Sequence, residues 1–532
     1  MFLLFAVATL APVWRETGWP FSHEGPGVLQ RTLIYARHWA AGDPLPIWCS
    51  VDAYGFGSPF PLVYHKLYYL LVAPLALAIG SLKFANVAAL ALLLTVGAYG
   101  MFATARALRA TTLAAVVAGV SLIAANYTVT DWLVRGAVAE FAGMMLVPWV
   151  LFYFVVSLRE GRVKIGLGIM LALLWFGHLV MAFYVGLLLA VTFLLMAATG
   201  TAPWTLANPR TAWPAVAWFA ALVGPSVAML SMIAPAYEFS RILTPPFRPA
   251  YQFRPFTWYL WDRHWQFGHT VSGLSLQLDL AMLALGALLV VYLVVRPPSA
   301  GATESRRDVF RRMLPPLIVM AIALLLQLRV TNPFYEMFPG AIYIQFPWRL
   351  LAVITPAMIL AFVCLADALL PEQPRLVVLG ATAAWMMAGS GAFVPIQDPR
   401  VPNTETVSLS NLTFSGFREQ EPAAAPPTAE LRARIAQHWM LTGCSVERRQ
   451  ADTEVLVAEF DVSCPRASTL PLPIYASAFH SIETGASPRR SRCLAVDGFA
   501  PVCGVGVPAG ASTVAVHMPT IGAFVRRLVG RD

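Results

Sequence analysis

Long apolar runs follow one another through roughly the first 395 residues, and the short loops between them hold most of the charged residues. A helix needs about 20 apolar residues to cross a bilayer, and helices satisfy their own backbone groups in lipid. The pattern therefore predicts a polytopic α-helical membrane protein. Twelve segments are candidate spans: 1–14, 62–80, 84–104, 111–126, 137–158, 163–179, 181–199, 214–236, 276–296, 314–329, 349–370 and 375–395.

Basic loops predict which side of the membrane each segment faces. The loops at 105–110, 159–164 and 297–313 are rich in Arg and Lys, which is typical of cytoplasmic loops. An inside N-terminus and an outside C-terminus require an odd number of spans. We therefore expect about eleven spans, with 62–80 re-entrant or peripheral because it begins with polar and aromatic residues.

The chain divides into a predicted membrane domain, 1–395, and an outer domain, 396–532. Loops 15–61 and 237–275 of the membrane domain face outside. In the outer domain, Glu454–Val462 and Ser512–His517 alternate apolar and polar residues as half-buried strands do, and Gly504–Gly510 is typical of a strand edge and turn. These runs predict a small, β-rich, sandwich-like domain.

Composition supports a membrane protein and excludes other classes. Only 12% of residues are charged, about half of what soluble domains carry, and the mean hydropathy is +0.65. The net charge of +9 is spread over loops and forms no basic, aromatic-rich groove, so nucleic acid is not an expected partner. No phosphate-binding glycine motif is present, which argues against an ATP-driven pump.

Four of the six cysteines fall in the predicted outer domain. Four cysteines in one small region are typical of two disulfides and an oxidising compartment. A zinc site is the alternative, although no CxxC or HxxxH spacing supports it. The spacing leaves the pairing open among Cys444, Cys464, Cys493 and Cys503.

Acidic residues in the first outer loop are candidate catalytic groups. His23 and Glu24 follow the first apolar segment, and a carboxylate there could act as a general base on an acceptor hydroxyl. A solvated loop acid is the commoner case for any single Glu. The loop is also dense in turn formers and aromatics between Asp43 and Asp52, which is typical of an ordered binding surface. Arg31 and Arg37 could complement a phosphate.

Two further clusters place polar groups at the outer membrane face. Arg135 precedes Glu140 by five residues, so the pair is either a structural salt bridge or part of a substrate site. His178 lies at the outer end of its helix, as a polar ligand or an interfacial residue. Gln345, Trp348 and Arg349 stand at the start of another helix, where an Arg suits a phosphate or anchors the interface.

The outer loop 237–275 mixes aromatic and charged side chains. Such platforms suit sugar binding and lipid headgroups equally. The members of this mixture are Tyr237, Glu238, Arg241, Arg248, Arg254 and the run Trp258–Trp265.

The motifs together resemble bacterial GT-C-class membrane glycosyltransferases. The likeness rests on His23-Glu24, Gly42-Asp43-Pro44, Gly55-Phe56-Gly57-Ser58-Pro59, Arg135…Glu140 and Gln345-Phe346-Pro347-Trp348-Arg349. It is strongest to the membrane branch labelled 6-pyruvoyl-tetrahydropterin-synthase-related and to YfhO-like proteins. It covers most of the chain and does not imply pterin chemistry.

This resemblance implies a transferase that uses a polyprenyl-phosphate-linked sugar. Glu24 would then be the base, with Asp43 and Asp52 as alternatives because class members often carry an Asp in this loop. Arg349 and Arg135 would bind the lipid phosphate. The sequence requires no cofactor, and a divalent cation stays possible. Expected partners are the lipid-linked sugar, membrane lipid and a glycan or lipid acceptor. A lipid or glycan transporter and a non-catalytic assembly partner in envelope polysaccharide synthesis are the alternatives.

Overall fold

The computed structural model covers residues 1–532. It describes residues 1–15, 18–25, 27–237, 242–245, 247–261, 274–295, 305–390, 403–404, 422, 425–449, 455–477, 479–485 and 491–528. The predicted Glu238, Arg241 and Asp262–Trp265 lie outside these residues. The described residues form two compact units, which are taken in turn.

The first unit comprises residues 1–28, 86–224 and 243–404 and is almost entirely helical. Its apolar runs form helices even where they contain an internal proline, as at Pro148 and Pro356, because a helix satisfies its own backbone groups in an apolar environment. Its α-helices, including two that extend past its limits, are Phe2–Thr9, Ala11–Arg15, Leu82–Ala107, Thr112–Ala124, Asn126–Val129, Val138–Glu160, Ile165–Gly177, Leu179–Ala198, Pro209–Ile233, Thr257–Leu260, Leu280–Val295, Arg306–Leu325, Asn332–Met337, Leu351–Leu369 and Glu372–Ser390.

Five helices in the described part of the chain are long and apolar enough to cross a membrane. Two bent helix pairs raise the number to seven if each pair is one span. They are Thr112–Ala124 with Asn126–Val134, and Arg306–Leu325 with Arg329–Met337. The chain is therefore a multi-pass membrane protein. The five are Leu82–Ala107, Val138–Glu160, Leu179–Ala198, Pro209–Ala236 and Pro347–Leu369.

The expected count of about eleven spans is not confirmed. Helices do form at the other predicted segments, but Leu67–Ile79 and Ile165–Gly177 have 13 residues each and Leu280–Val295 has 16. These helices are shorter than the roughly 20 residues of a perpendicular span. The most deeply buried span is Pro347–Leu369, of whose apolar window 94% is buried, so it forms the core of the first unit.

The second unit comprises residues 29–85, 225–242 and 405–532. Its strands are β1 Ser445–Arg448, β2 Val457–Cys464, β3 Ser468–Tyr475, β4 Ser481–Thr484, β5 Val502–Val507 and β6 Gly510–His517. They form a four-stranded antiparallel sheet, in the order β1-β2-β6-β4, and a two-stranded antiparallel sheet, β3-β5. The helices of this unit include Gly27–Ala40, Asp52–Gly55, Phe60–Val63, Leu67–Ile79, Thr428–Thr442 and Ile521–Leu528.

The core of the second unit joins the sheets to the predicted first outer loop. Phe460 and Val514 of the large sheet share one apolar cluster with Leu470 of the small sheet and with Trp48 and Phe56 of the loop. This grouping differs from the predicted division at residue 395, which assigned loop 15–61 to the membrane domain. The loop joins the C-terminal region because its large apolar side chains are buried there.

Two disulfides tie the strands of this unit. Cys444 is bonded to Cys464 at the end of β2, and Cys493 is bonded to Cys503 in β5. The remaining cysteines, Cys49 and Cys364, are free and buried.

Candidate functional site

The polar cluster of the first unit begins at a break in a membrane helix. The helix Thr112–Ala124 ends at Ala125, whose extended backbone starts a bend of 41°. The Asp279 carboxylate accepts a hydrogen bond of 2.8 Å from the Asn126 backbone N–H, which the break would otherwise leave unpaired. A π-helical turn, Thr130–Val134, follows. Such wide turns are frequent at functional sites.

The Glu140 carboxylate is the centre of the cluster. Arg135 donates to it at 2.9 Å through Nη2, and Arg135 Nη1 lies 2.7 Å from the other oxygen. Tyr127 donates its hydroxyl proton to Glu140 at 2.8 Å, and Arg135 also pairs with Asp131. The structure therefore contains the Arg135–Glu140 salt bridge that the spacing suggested as one of two roles. All four side chains are buried.

Arg349 reaches the same carboxylate from a distant part of the chain. Its Nε lies 3.1 Å from Glu140 Oε2, and its Nη1 donates to the Gln345 side-chain oxygen at 3.2 Å. Gln345 has a positive φ of 60°, which is unfavourable for a residue with a side chain. Trp348 contributes its ring, 4.7 Å from the Arg135 guanidinium. The turn Gln345–Arg349 thus adds a second cation to the cluster.

His178 completes the cluster from a helix junction. It separates the helices Ile165–Gly177 and Leu179–Ala198, and its Nδ1 accepts from the Met181 backbone N–H at 3.1 Å. In the neutral ring this contact leaves the proton on Nε2. That atom lies 3.9 Å from Glu140 Oε2, so the imidazole faces the shared carboxylate.

The predicted base lies beside this cluster. His23 and Glu24 donate their backbone N–H groups to the carbonyls of Val134 and Arg135, at 3.1 and 3.0 Å. The Glu24 carboxylate is close enough to Asp131 to interact with it electrostatically. Glu24 is partly exposed and His23 is exposed. The first loop therefore joins the Arg135–Glu140 segment through its backbone.

The two arginines differ in the N–H donors that remain for a ligand. Arg135 uses both Nη atoms on Asp131, Tyr127 and Glu140, and its side chain is 6% exposed. Arg349 is 16% exposed, and its Nη2 has no hydrogen-bond partner among the described residues. Arg349 is therefore the cation that could still donate to a ligand oxygen, whereas Arg135 is held by its internal partners.

The other candidate acids, Asp43 and Asp52, lie in the second unit. Asp43 pairs with His38, whose Nδ1 is 3.0 Å away. Asp52 accepts a 2.6 Å hydrogen bond from the Ser58 hydroxyl, and burial raises the pKa of its carboxyl above the ordinary value. Glu24 thus belongs to the first unit, beside the Glu140 cluster, whereas Asp43 and Asp52 belong to the second unit.

Sequence reasoning missed Tyr127 and Tyr184 at the cluster. The Tyr184 hydroxyl donates to the Arg349 carbonyl at 3.4 Å. Both tyrosines stand in apolar surroundings and resemble core residues in the sequence. The polar run Asn126–Thr128 at the end of an apolar segment is the signal that could have revealed the helix break and Tyr127.

A metal site is not evident in the described ranges. No three His, Cys, Asp or Glu side chains are grouped there as a metal ion would require. The possible divalent cation therefore stays a prediction.

Comparison with known proteins gives structural similarity alone. No protein-family model and no curated protein matches the chain. Among solved structures, a cryo-EM structure of the arabinofuranosyltransferase AftD from Mycobacteria is similar with a TM-score of 0.45 and 17% identity, over 73% of this chain and 26% of that one. A mutant form of AftD gives a TM-score of 0.43 and 15% identity, over 82% and 30%. This chain thus spans less than a third of the length of those structures, and its function rests on its own residues.

Proposed function

We propose that the chain is a membrane glycosyltransferase that moves a sugar from a polyprenyl-phosphate donor to a hydroxyl of a glycan or lipid acceptor. One observation carries this proposal. The Arg135–Glu140 pair and Arg349 come from distant segments and meet at one buried polar cluster, and the backbone N–H of Glu24 hydrogen-bonds to the Arg135 carbonyl beside that cluster. Charged groups inside a membrane domain are expensive and usually functional.

The proposed step begins at Glu24. Its carboxylate accepts the proton of the acceptor hydroxyl while the acceptor oxygen attacks the anomeric carbon. The bond between that carbon and the phosphate oxygen breaks, and the phosphate leaves with the electron pair. Attack opposite the leaving group inverts the anomeric configuration. Asp131 and Glu140 are poorer bases here, because both are engaged by Arg135.

Arg349 stabilises the leaving phosphate in this proposal. Its Nη2 and its partial exposure allow it to donate to a phosphate oxygen. Glu140 and Gln345 hold its other nitrogens in place. The site around Arg349 is lined by Arg135, Trp348 and His178. Arg349 is therefore already positioned where negative charge develops on the leaving phosphate.

The proposed location is the inner membrane of a bacterium, with the second unit outside. Basic loops and the two disulfides support this orientation. A lipid-linked donor suits the outer face, where nucleotide sugars are not supplied.

Sugar transfer in proteoliposomes tests the proposal. A panel of radiolabelled polyprenyl-phosphate sugars would be offered with lipid and glycan acceptors to the wild type, Glu24→Gln and Arg349→Ala. We expect losses of about 10²–10⁴-fold for Glu24→Gln and about 10²–10³-fold for Arg349→Ala. Glu336→Gln is the matched control, because Glu336 is exposed and, within the described part of the chain, bonds locally to Asn332; it should retain full activity.

Full transfer by folded Glu24→Gln would overturn the base assignment. Thermal unfolding of each variant and an Arg349→Lys variant, which keeps the charge, separate loss of chemistry from loss of folding. Partial activity in Arg349→Lys, with a normal unfolding temperature, would support the phosphate role.

A transporter is the second candidate, and the two bent helix pairs favour it. Broken helices are typical of transporter binding sites. In that case Arg135, Glu140 and Arg349 would line a path. Movement of a lipid-linked sugar across the bilayer without transfer, abolished by Arg349→Ala, would favour this function.

Co-purification with another protein, unaffected by changes at Glu24 or Arg349, would favour an assembly partner.

A further inference from the structure

The break in the first bent helix pair brings oxygen atoms together outside the Glu140 cluster. The helix Thr112–Ala124 ends there, and the segment Asn126–Val134 continues at an angle of 41°. The last carbonyls of a helix lack N–H partners from a following turn, and the helix dipole makes this end negative. In membrane transporters, such interrupted helix ends coordinate sodium ions or protons. The break therefore favours a positive charge beside it.

Asp279 adds a full negative charge at this break. It is 5% exposed, and one of its oxygens accepts from the Asn126 backbone N–H at 2.8 Å. No Lys, Arg or His in the described ranges neutralises it. Asp367, another buried acid of the first unit, differs because Arg375 lies 3.7 Å from it. The helix that begins at Leu280 offsets only about half of the Asp279 charge through its dipole.

The Asn126 side chain contributes a second oxygen next to Asp279. Its Nδ2 donates to the Gln277 carbonyl at 2.7 Å and to the Ser275 hydroxyl oxygen at 3.3 Å. A carbonyl can only accept, so this contact identifies the nitrogen end of the amide. The amide oxygen at the other end is buried and has no hydrogen-bond partner among the residues that the structure describes. It belongs to the residue whose backbone N–H binds Asp279, so the two side chains are neighbours.

Hydroxyl oxygens enlarge this set of oxygen atoms. The Ser275 hydroxyl oxygen accepts from the Asn126 side chain and is buried. Thr128, two residues after Asn126, is also buried, and within the described ranges its hydroxyl has no hydrogen-bond partner. Thr104 shows the usual arrangement in a helix, since its hydroxyl donates to the Gly100 carbonyl at 2.7 Å. Carboxylate, amide and hydroxyl oxygens are the ligands that hard cations prefer.

We propose that Asp279 and Asn126 form a binding site for a monovalent alkali cation at the break of this membrane helix. The single carboxylate supplies one negative charge, so a monovalent ion is neutralised, whereas a divalent ion would leave a buried positive charge. The other oxygens are neutral. The site therefore differs from a divalent metal centre, for which no group of three acidic, His or Cys side chains occurs in the described part of the chain.

A bound cation would also restrain the neighbouring polar segment. Tyr127 follows Asn126 directly, and its hydroxyl donates to Glu140 at 2.8 Å. An ion held by Asp279 and Asn126 would fix the start of the segment that leads to Arg135. The cation site goes beyond the proposed function, and its existence does not depend on sugar transfer.

Equilibrium binding of alkali cations to the full-length protein tests this proposal. Radioactive sodium and rubidium would be offered separately to the protein in nanodiscs of neutral lipid, with choline chloride holding the ionic strength constant. We expect saturable binding of at least one of the two ions. Asp279→Asn should weaken it about tenfold or more, because it removes the only full charge. Asn126→Ala should weaken it as well, because it removes the amide oxygen.

Asp308→Asn is the matched control. Asp308 is also an acid of the first unit at the start of a membrane helix, Arg306–Leu325, but its side chain is 55% exposed. Its removal should leave ion binding equal to that of the wild type. Asn at position 279 keeps an oxygen that can accept from the Asn126 N–H, so Asp279→Asn should fold, and thermal unfolding checks this.

Thermal unfolding of the wild type supplies a measurement that needs no variant. A specifically bound ion stabilises the folded state, so the chloride of the bound ion should raise the unfolding temperature above that in choline chloride. Three results would overturn the site. They are an absence of saturable binding of both ions, unchanged binding in folded Asp279→Asn, and equal unfolding temperatures in all three chlorides.

Transfer assays separate this proposal from the proposed function. Cation binding that depends on Asp279, in a chain without transfer activity, would retain the cation site and reject the transferase. Transfer activity in a chain that binds no alkali cation would do the reverse. If both proposals hold, sugar transfer by the wild type should increase when the bound ion replaces choline, and transfer by Asp279→Asn should not respond.

Discussion

At the scale of the residue, Glu140 connects the charged groups of the first unit. One carboxylate receives Arg135 and Tyr127 by hydrogen bonds and Arg349 by an ion pair. Each of these groups would be costly in a membrane domain without such a partner. The five-residue spacing of Arg135 and Glu140 allowed their contact to be predicted. The contact with Arg349 was not predictable from spacing, because it depends on how distant helices pack.

Gly136 controls how close the first loop comes to this cluster. Its φ is +65°, and a Cβ atom there would stand 2.4 Å from the Ser22 hydroxyl oxygen. We expect Gly136→Ala to destabilise the protein by about 1–3 kcal/mol, because of the strained backbone and the displaced Ser22–Glu24 segment. Sugar transfer should fall with it. Thermal unfolding and the transfer assay measure the two effects.

Gly186→Ala is the matched control for this change. Gly186 lies in the helix Leu179–Ala198, and a Cβ atom there would meet nothing within 4 Å. This variant should be as stable as the wild type or slightly more stable, because Ala favours a helix. Equal unfolding temperatures for both alanine variants would refute the assigned role of Gly136.

At the scale of the element, the alternation of apolar and polar residues predicted strands and long apolar runs predicted helices. Local polarity, in contrast, did not distinguish a helix from a loop. The predicted strands 454–462 and 512–517 match β2 and β6 closely, because a half-buried strand alternates regardless of its neighbours. The helix Gly27–Ala40 was missed inside a predicted loop. Its polar residues Gln30, Arg31 and His38 conceal a helical spacing, and the burial of Arg31 and His38 in the second unit is a tertiary effect.

Phe56 tests how strongly the first loop is bound to the sheets. It is fully buried, its ring lies 5.1 Å from that of Tyr475, and its carbonyl accepts from the Tyr475 backbone N–H at 2.8 Å. Phe56→Ala should destabilise the second unit by about 3–5 kcal/mol, because it leaves a cavity in the core. Hydrogen exchange of β2, β3 and β6, followed by mass spectrometry, would report this loss.

The control for Phe56 is Leu45→Ala. Leu45 belongs to the same loop but is 47% exposed, so its truncation should leave exchange in the strands unchanged. If exchange in the strands were the same in Phe56→Ala as in the wild type, the loop would not belong to the core of the second unit.

At the scale of the whole molecule, the division into units did not follow the order of the chain. Composition separates an apolar first part from a polar last part, which led to a predicted boundary at residue 395. The structure instead groups residues 29–85 with the C-terminal strands. Sequence could not indicate this grouping, because a buried Trp48 or Phe56 has the same local signature as an interfacial aromatic residue.

Single cysteines test the predicted orientation of the chain. Met440 of the second unit is 74% exposed, and the Arg162 side chain in a basic loop is 67% exposed. We expect an impermeant maleimide to label Met440→Cys from outside the cell and Arg162→Cys only in inverted vesicles. The native free cysteines Cys49 and Cys364 are buried and provide a low background. Labelling of both positions from the same side would contradict the predicted topology.

The hydrogen bond of 2.9 Å that the Arg448 guanidinium donates to the Gly55 carbonyl ties the first loop to the large sheet, and it also has a consequence for biosynthesis. The two residues are separated by 393 positions. At about 5–20 residues per second, the ribosome needs roughly 20–80 s to make the chain between them. During that interval Trp48 and Phe56 have been synthesised but the strands that cover them have not. The apolar side chains of the nascent loop are therefore uncovered throughout this interval. A chaperone would bind the chain at this stage of synthesis.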